Sequence, residues 1–413
     1  MKNRTIKNSI IVLVLLISLN NILPAQVTIG AGIEPNKGAL LDLKENNGDN
    51  SNITASKGFI LPRVQLTDPG NLYPMFSPDN AGGYKEGVKP EEDKLHTGLS
   101  VYHIDECSLE GAGLYLWSGS RWTKLSEHLP GHVYRVTDPR DGETYLARNF
   151  GPQAGDWMLE NIRYQDPDIP LSKKGDAGFS DAIQSRLKRY FYPNGTNDGI
   201  PSTWNKKQGL LYTYAAATMG KQNTTDFNQG QVAGNSPGVD EVETVTGHIQ
   251  GICPAGWHVP SDREWNMLEK EIYNNPEKYS GYVGRNAFNP AIWNPIWESR
   301  SVASMRGSSG SSGHAYAMLS VCPAVGKPIS VKGKSLPATS GGFDALPVGY
   351  ANDGEQEDYG GGSYFWTSSA AGKDGTNSNM LWAWDRILTV DQQQVLRYTY
   401  ARNALFSVRC KKD

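Results

Sequence analysis

Three runs close to the end of the chain, 381–388 (LWAWDRIL), 395–400 (VLRYTY) and 405–408 (LFSV), alternate with a period of two and are rich in aromatic residues. Successive side chains of a strand point to opposite faces, so the spacing predicts consecutive antiparallel strands with one covered face. The polar stretches 391–394 and 402–403 between them serve as connectors. With 45 Gly, 24 Pro, 11 Trp and 20 Tyr and only 38% apolar residues, the chain suits a loop-rich fold pinned by aromatic clusters. One helix is nevertheless explicit. Ser261 and Glu264 have the spacing of a capping box, Trp265, Leu268 and Ile272 then form one apolar stripe, and Asn274, Asn275 and Pro276 stop the pattern. Trp265 is therefore expected in the core. A second helix is expected from Ser180 through Ile183, Leu187 and Tyr190, ending near Pro193.

At 413 residues the chain exceeds what one core usually supports, so it should divide into domains. Lys2, Arg4 and Lys7 precede an apolar run at 10–17 that is short for a bilayer, and Ala25 offers a cleavage point, so residues 1–25 read as a signal peptide. No cysteine follows it to be lipidated, and no later segment resembles a membrane span. The expectation is an exported protein at the cell surface or outside the cell. The formal charge of −3 becomes more acidic once the basic leader is removed, which disfavours nucleic acid as a partner. Residues 26–128 contain short apolar runs at 27–33, 39–43, 57–64, 97–102 and 113–122, separated by Gly, Asn, Ser and Pro. They predict a thin all-β stalk, with a two-residue Ser-Gly turn in the last run. So few core residues per strand imply packing on a neighbour or self-association, for example as a trimer. A linker at 126–132 leads into the larger domain, 129–413.

Cys107, Cys253, Cys322 and Cys410 are too far apart for the paired spacing of a zinc site, and export favours disulfides. Among seven histidines, only His128 and His132 stand one helical turn apart, and Pro130 and Gly131 between them oppose a helix. His258 is read as a structural hydrogen-bonding residue. No nucleophile elbow or phosphate loop is present, and 307–313, rich in Gly and Ser, reads as a flexible surface loop. The acidic run at 352–358 places Asp353, Glu355, Glu357 and Asp358 on one loop, either as calcium ligands or as solvated surface charge.

The blocks 138–145 (DPRDGETY), 155–164 (GDWMLENIRY), 209–217 (GLLYTYAAA), 253–265 (CPAGWHVPSDREW), 343–350 (FDALPVGY), 364–369 (YFWTSS) and 406–413 (FSVRCKKD) resemble, in order, the Fibrobacter succinogenes major paralogous domain. The N-terminal runs resemble modules common on exported Bacteroidetes proteins. The resemblance implies a C-type-lectin-like α+β fold, with mixed and antiparallel sheets and a few short helices, behind the small all-β region. It implies a Cys253–Cys410 disulfide. Pairing of Cys107 with Cys322, which fall in different domains, is left open. It further implies a ligand surface on the last strands, carried by Trp382, Trp384, Asp385, Arg386, Arg397, Tyr398, Tyr400 and Arg402. The expected function is adhesion or ligand display, fimbria-associated in one version, with an extracellular glycan or protein as partner and no cofactor. A structural envelope protein is one alternative. The other, an enzyme like the sulfatase-modifying relatives with their copper and cysteine chemistry, is not carried over, because Cys322 and Cys410 lack a neighbouring thiol in sequence.

Overall fold

The computed structural model describes residues 27–30, 32–48, 53–76, 89–125, 129–175, 186–196, 199–220, 231–232, 242–243, 248–284, 286–298, 304–328, 332–371 and 381–413. The proposed signal peptide, residues 126–128 of the 126–132 linker and the first half of the second expected helix lie outside them. No helix among the described residues is long and apolar enough to cross a membrane.

The N-terminal strands are β1 (Val27–Ile29), β2 (Leu41–Leu43), β3 (Arg63–Val64), β4 (Ser100–His103), β5 (Gly113–Trp117) and β6 (Trp122–Lys124). β1 and β2 form a two-stranded parallel pair, and β3 to β6 a four-stranded sheet in sequence order. Leu66, Leu72, Val101, Tyr115, Trp117 and Trp122 close a small core of their own, in which both indoles donate to backbone carbonyls. Two expectations change here. The helix Lys89–Leu95 interrupts the all-β region, with Glu91 and Glu92 in its first turn and Lys94 in its last, favourable signs for the helix dipole. The β5–β6 turn has four residues, 118–121, because Trp117 pairs with Trp122.

The remaining strands are β7 (Val133–Thr137), β8 (Thr144–Asn149), β9 (Asp156–Met158), β10 (Tyr190–Phe191), β11 (Leu211–Thr213), β12 (Gln231–Val232), β13 (Val242–Glu243), β14 (Trp257–His258), β15 (Ser304–Arg306), β16 (Tyr350–Asn352), β17 (Glu355–Glu357), β18 (Gly362–Ala371), β19 (Trp382–Thr389), β20 (Val395–Ala401), β21 (Leu405–Ser407) and β22 (Lys411–Lys412). A nine-stranded mixed sheet runs β10-β11-β21-β18-β19-β20-β15, with β16 and β17 branching from β21. A five-stranded sheet runs β14-β22-β9-β8-β7, and β12 pairs with β13. The architecture is mostly β with few helices. The period-two runs are the strands β19, β20 and β21. The second expected helix is not formed over its described half: Leu187 lies outside any regular element and Tyr190 is in β10, where pairing with Tyr212 outweighs the weak helical spacing.

The capped helix spans Asp262–Asn274, with Ser261 accepting from the Glu264 amide and Glu264 accepting from the Ser261 amide. Its apolar stripe, Trp265, Leu268 and Ile272, packs with Trp157, Phe343, Phe365, Leu388 and Val395 on one side of the large sheet. A second core, containing Tyr145, Met158, Tyr212, Tyr214, Trp366 and Phe406, fills the other side. The Cys253–Cys410 disulfide lies in that second core, as the resemblance implied. Cys107 and Cys322 are also joined, tying the N-terminal region to the larger domain. The 307–313 segment is exposed only in its middle. A side chain at Gly307 would meet the His314 ring at 2.5 Å, and one at Gly313 would meet the Gln393 carbonyl at 2.1 Å, so both ends are pinned.

Candidate functional site

Strands β19 and β20 hold seven of the eight residues expected to bind ligand, and strand alternation splits the eight between opposite environments. Arg386 and Arg397 are directly opposed across the strands and point toward the Asp262–Asn274 helix. Arg386 donates to Glu269 Oε1 and Asp262 Oδ1, both at 2.6 Å, and to Asn266 Oδ1 at 3.0 Å. Arg397 donates to both oxygens of Asp262 and covers the Trp384 ring at 4.2 Å. Arg306 pairs with Glu269, whose other oxygen lies 3.1 Å from His314 Nε2. All these ionic groups are buried. Burial works against the charge on Asp262 and Glu269, but the surrounding arginines prevail: the Asp262 carboxyl is held well below its usual range, and Glu269 falls to about 2. Burial brings Arg306 down to about 9, with Glu269 opposing, and lowers His314.

The expected binding set therefore requires correction. Trp384, Arg386, Arg397 and Arg402 are buried framework, because the guanidinium groups, at inward positions of the strands or, for Arg402, just past the end of β20, meet acids, carbonyls and rings. Arg402 donates to the Trp382 carbonyl and lies over Tyr214. Asp385 is also fully buried, on the opposite face, with no hydrogen-bond partner at either oxygen among the described residues. Burial raises its pKa well above the usual carboxylate range, and Arg386 only partly opposes this. Trp382, Tyr398 and Tyr400 remain partly exposed.

Tyr398 and Tyr400 share the other face of the sheet with Tyr350 and Tyr364, both also partly exposed. Buried Phe406 is the hub of this group: Tyr350, Tyr364 and Tyr400 pack around its ring at 5.6, 5.3 and 5.2 Å, and Trp366 stacks against it at 4.3 Å. The Tyr350 and Tyr400 hydroxyls lie 3.3 Å apart, and Tyr364 donates to Asp358 at 2.9 Å. Burial pushes the Tyr350 and Tyr364 phenols and the Asp358 carboxyl upward. Such a surface offers fixed ring faces and neutral hydroxyls, suited to stacking and hydrogen bonding. Sequence reading missed Tyr350 and Tyr364, although the aromatic content of 343–350 and 364–369 was a signal.

The acidic run forms the β16–β17 hairpin, with Asp353 and Gly354 both at positive φ in its turn, the usual geometry of a tight Asp-Gly turn. Asp353 accepts from the Gly175 amide, Glu355 pairs with Lys174 and Asp358 accepts from Tyr364. Among the described residues, the potential metal-ligand atoms that converge belong to His248, His258 and Glu264, within 4.8 Å of one another. Here His258 bridges Glu264 at 3.0 Å and Asp413 at 2.7 Å, as a structural hydrogen-bonding residue would. Lys411 lies 3.2 Å from Glu264, whose carboxyl is brought to about 2 against the effect of burial by His258 and Lys411. A cavity of about 430 Å³ beside Arg263, Asn266, Met267, Lys270 and Glu298 involves none of the eight expected residues.

Residues 153–412 match the family model of the Fibrobacter succinogenes major domain. The chain belongs to that family. In this member of the major-domain family, residues 28–137 also match a phage-tail-like trimerisation region. The two matches fit a surface-associated protein. No curated protein matches the chain, and no solved structure does.

Proposed function

We propose that this protein is exported and recognises an extracellular glycan or protein through the tyrosine face of its major domain, carried on an N-terminal region that joins copies of the chain. The observation that carries this reading is the group Tyr350, Tyr364 and Tyr400, partly exposed and seated on buried Phe406, with partly exposed Tyr398 on the same face. Aromatic side chains with few rotors bury much area on contact at little entropic cost, so they recur at binding hot spots. A C-type-lectin-like use of the closing strands agrees with this face. The disulfides favour an oxidising compartment, and the trimerisation-region match supports self-association. The proposed work is binding, not catalysis; all four cysteines are bonded, so no thiol is ready for cysteine chemistry.

The test is a glycan and protein array probed with the whole chain, then repeated with Tyr398→Ala/Tyr400→Ala. Saturable capture should fall at least about tenfold in the variant, the scale of a lost hot spot, while its thermal unfolding stays cooperative. Capture unaffected by the substitutions would reject this face. An array without any saturable ligand would favour a structural envelope role.

A further inference from the structure

The β1–β2 pair is patterned inside out. Its parallel register sets Val27 beside Leu41 and Ile29 beside Leu43, which places four apolar side chains on one face. They are 51%, 53%, 57% and 41% exposed, respectively. The intervening Thr28 and Asp42 take the other face, and there the charged groups are paired: Asp42 accepts from the Asn36 amide and from Lys44, which is only 4% exposed and also donates to the Glu34 carbonyl. The polar side is thus closed by the chain's own loop, while the apolar side is left open. Phe59 and Ile60, farther along the same region, are likewise exposed at 67% and 76%.

A two-stranded ribbon with one small apolar face is marginal in water, and contiguous exposed apolar surface marks an interaction site. The occupant is indicated by the trimerisation-region match, which spans 28–137 and so covers this pair except for Val27, one residue before it. We infer that Val27, Ile29, Leu41 and Leu43 form the contact between copies of this chain, each copy's ribbon covering those of the other two around a threefold axis. Closed symmetry lets identical small faces bury one another without leaving an open end. This inference rests on the proposed self-association and assigns it to one face.

The experiment is light scattering on the purified full chain, comparing wild type with Ile29→Asp/Leu41→Asp and with Ile292→Asp, which charges an exposed apolar residue of the larger domain. The expected masses are three times the 45.3 kDa chain for wild type and Ile292→Asp, less any leader removed, and one chain for the double variant. A double variant that stays trimeric would overturn the assigned face while leaving self-association standing. A monomeric wild type would overturn both, whatever else covers the ribbon. If the double variant does not accumulate as folded protein, Leu43→Cys treated with a bifunctional thiol reagent decides: inter-chain products support the contact, and their absence contradicts it.

Discussion

Arg386 uses all three guanidinium nitrogens on acceptors of a single helix and on its own strand, and truncating one partner of such a buried ionic set costs about 3–5 kcal/mol. Part of this was readable: Asp262, Asn266 and Glu269 fall at i, i+4 and i+7, beside the apolar stripe, Arg386 lies between inward Trp384 and Leu388, and Arg397 lies two residues after inward Val395. What a sequence does not show is the partner across 120 residues, so charge at these positions resembles an exposed contact surface. Asp385 is different, because its carboxyl is buried without a partner among the described residues. Its raised pKa means that its contribution to stability is complete below 3.8 and declines as pH rises, since the unfolded chain ionises and the folded one resists. Glu269 has the opposite sign: depressed from 4.5 to about 2, its contribution is present above 4.5 and lost as pH falls through that window. Asp385→Asn should therefore be more stable than wild type at pH 7, with the difference shrinking toward pH 4; urea titrations across that range would show it, and a constant difference would contradict it.

At the scale of elements, local signals were legible where they were self-contained. The capping box, the helix it starts and the three terminal strands depend on residues within a few positions of each other. Over its described residues, 186–193, the second expected helix is not formed because the pairing of β10 with β11 is non-local, and tertiary pairing overrides weak helical spacing. The Ser-Gly turn failed by two residues because cross-strand packing of Trp117 on Trp122, 5.3 Å between rings, fixes the register. The Cys253–Cys410 bond fastens the segment before the helix to the end of the chain, where β22 pairs with both β14 and β9. Replacing both cysteines by serine should cost about 2–5 kcal/mol. Chemical denaturation of the double variant at neutral pH is the check, and an unchanged midpoint would show that the strand pairing alone holds this end.

For the whole molecule, the two faces of the nine-stranded sheet divide the labour. One face is closed by the helix and its arginine–carboxylate network. The other presents tyrosines on an aromatic hub, while the N-terminal region carries its own small core, an open apolar ribbon and a disulfide to the larger domain. The C-terminal order of blocks was enough to place the chain in its family, since those blocks are contiguous in sequence. The tyrosine face was only half legible, because Tyr350 and Tyr364 join Tyr398 and Tyr400 through β16, β18 and β21, whose order in the sheet is not their order in the chain. The most direct measurement is mass-spectrometric mapping of the native full chain after arginine-selective dicarbonyl labelling and, separately, tyrosine iodination. Labelling is predicted at Tyr398 and Tyr400, while Arg386, Arg397 and Arg402 stay unmodified until the protein is denatured. Rapid native labelling of those arginines, with Tyr398 and Tyr400 protected, would contradict the division of the sheet into a buried framework and an accessible tyrosine face.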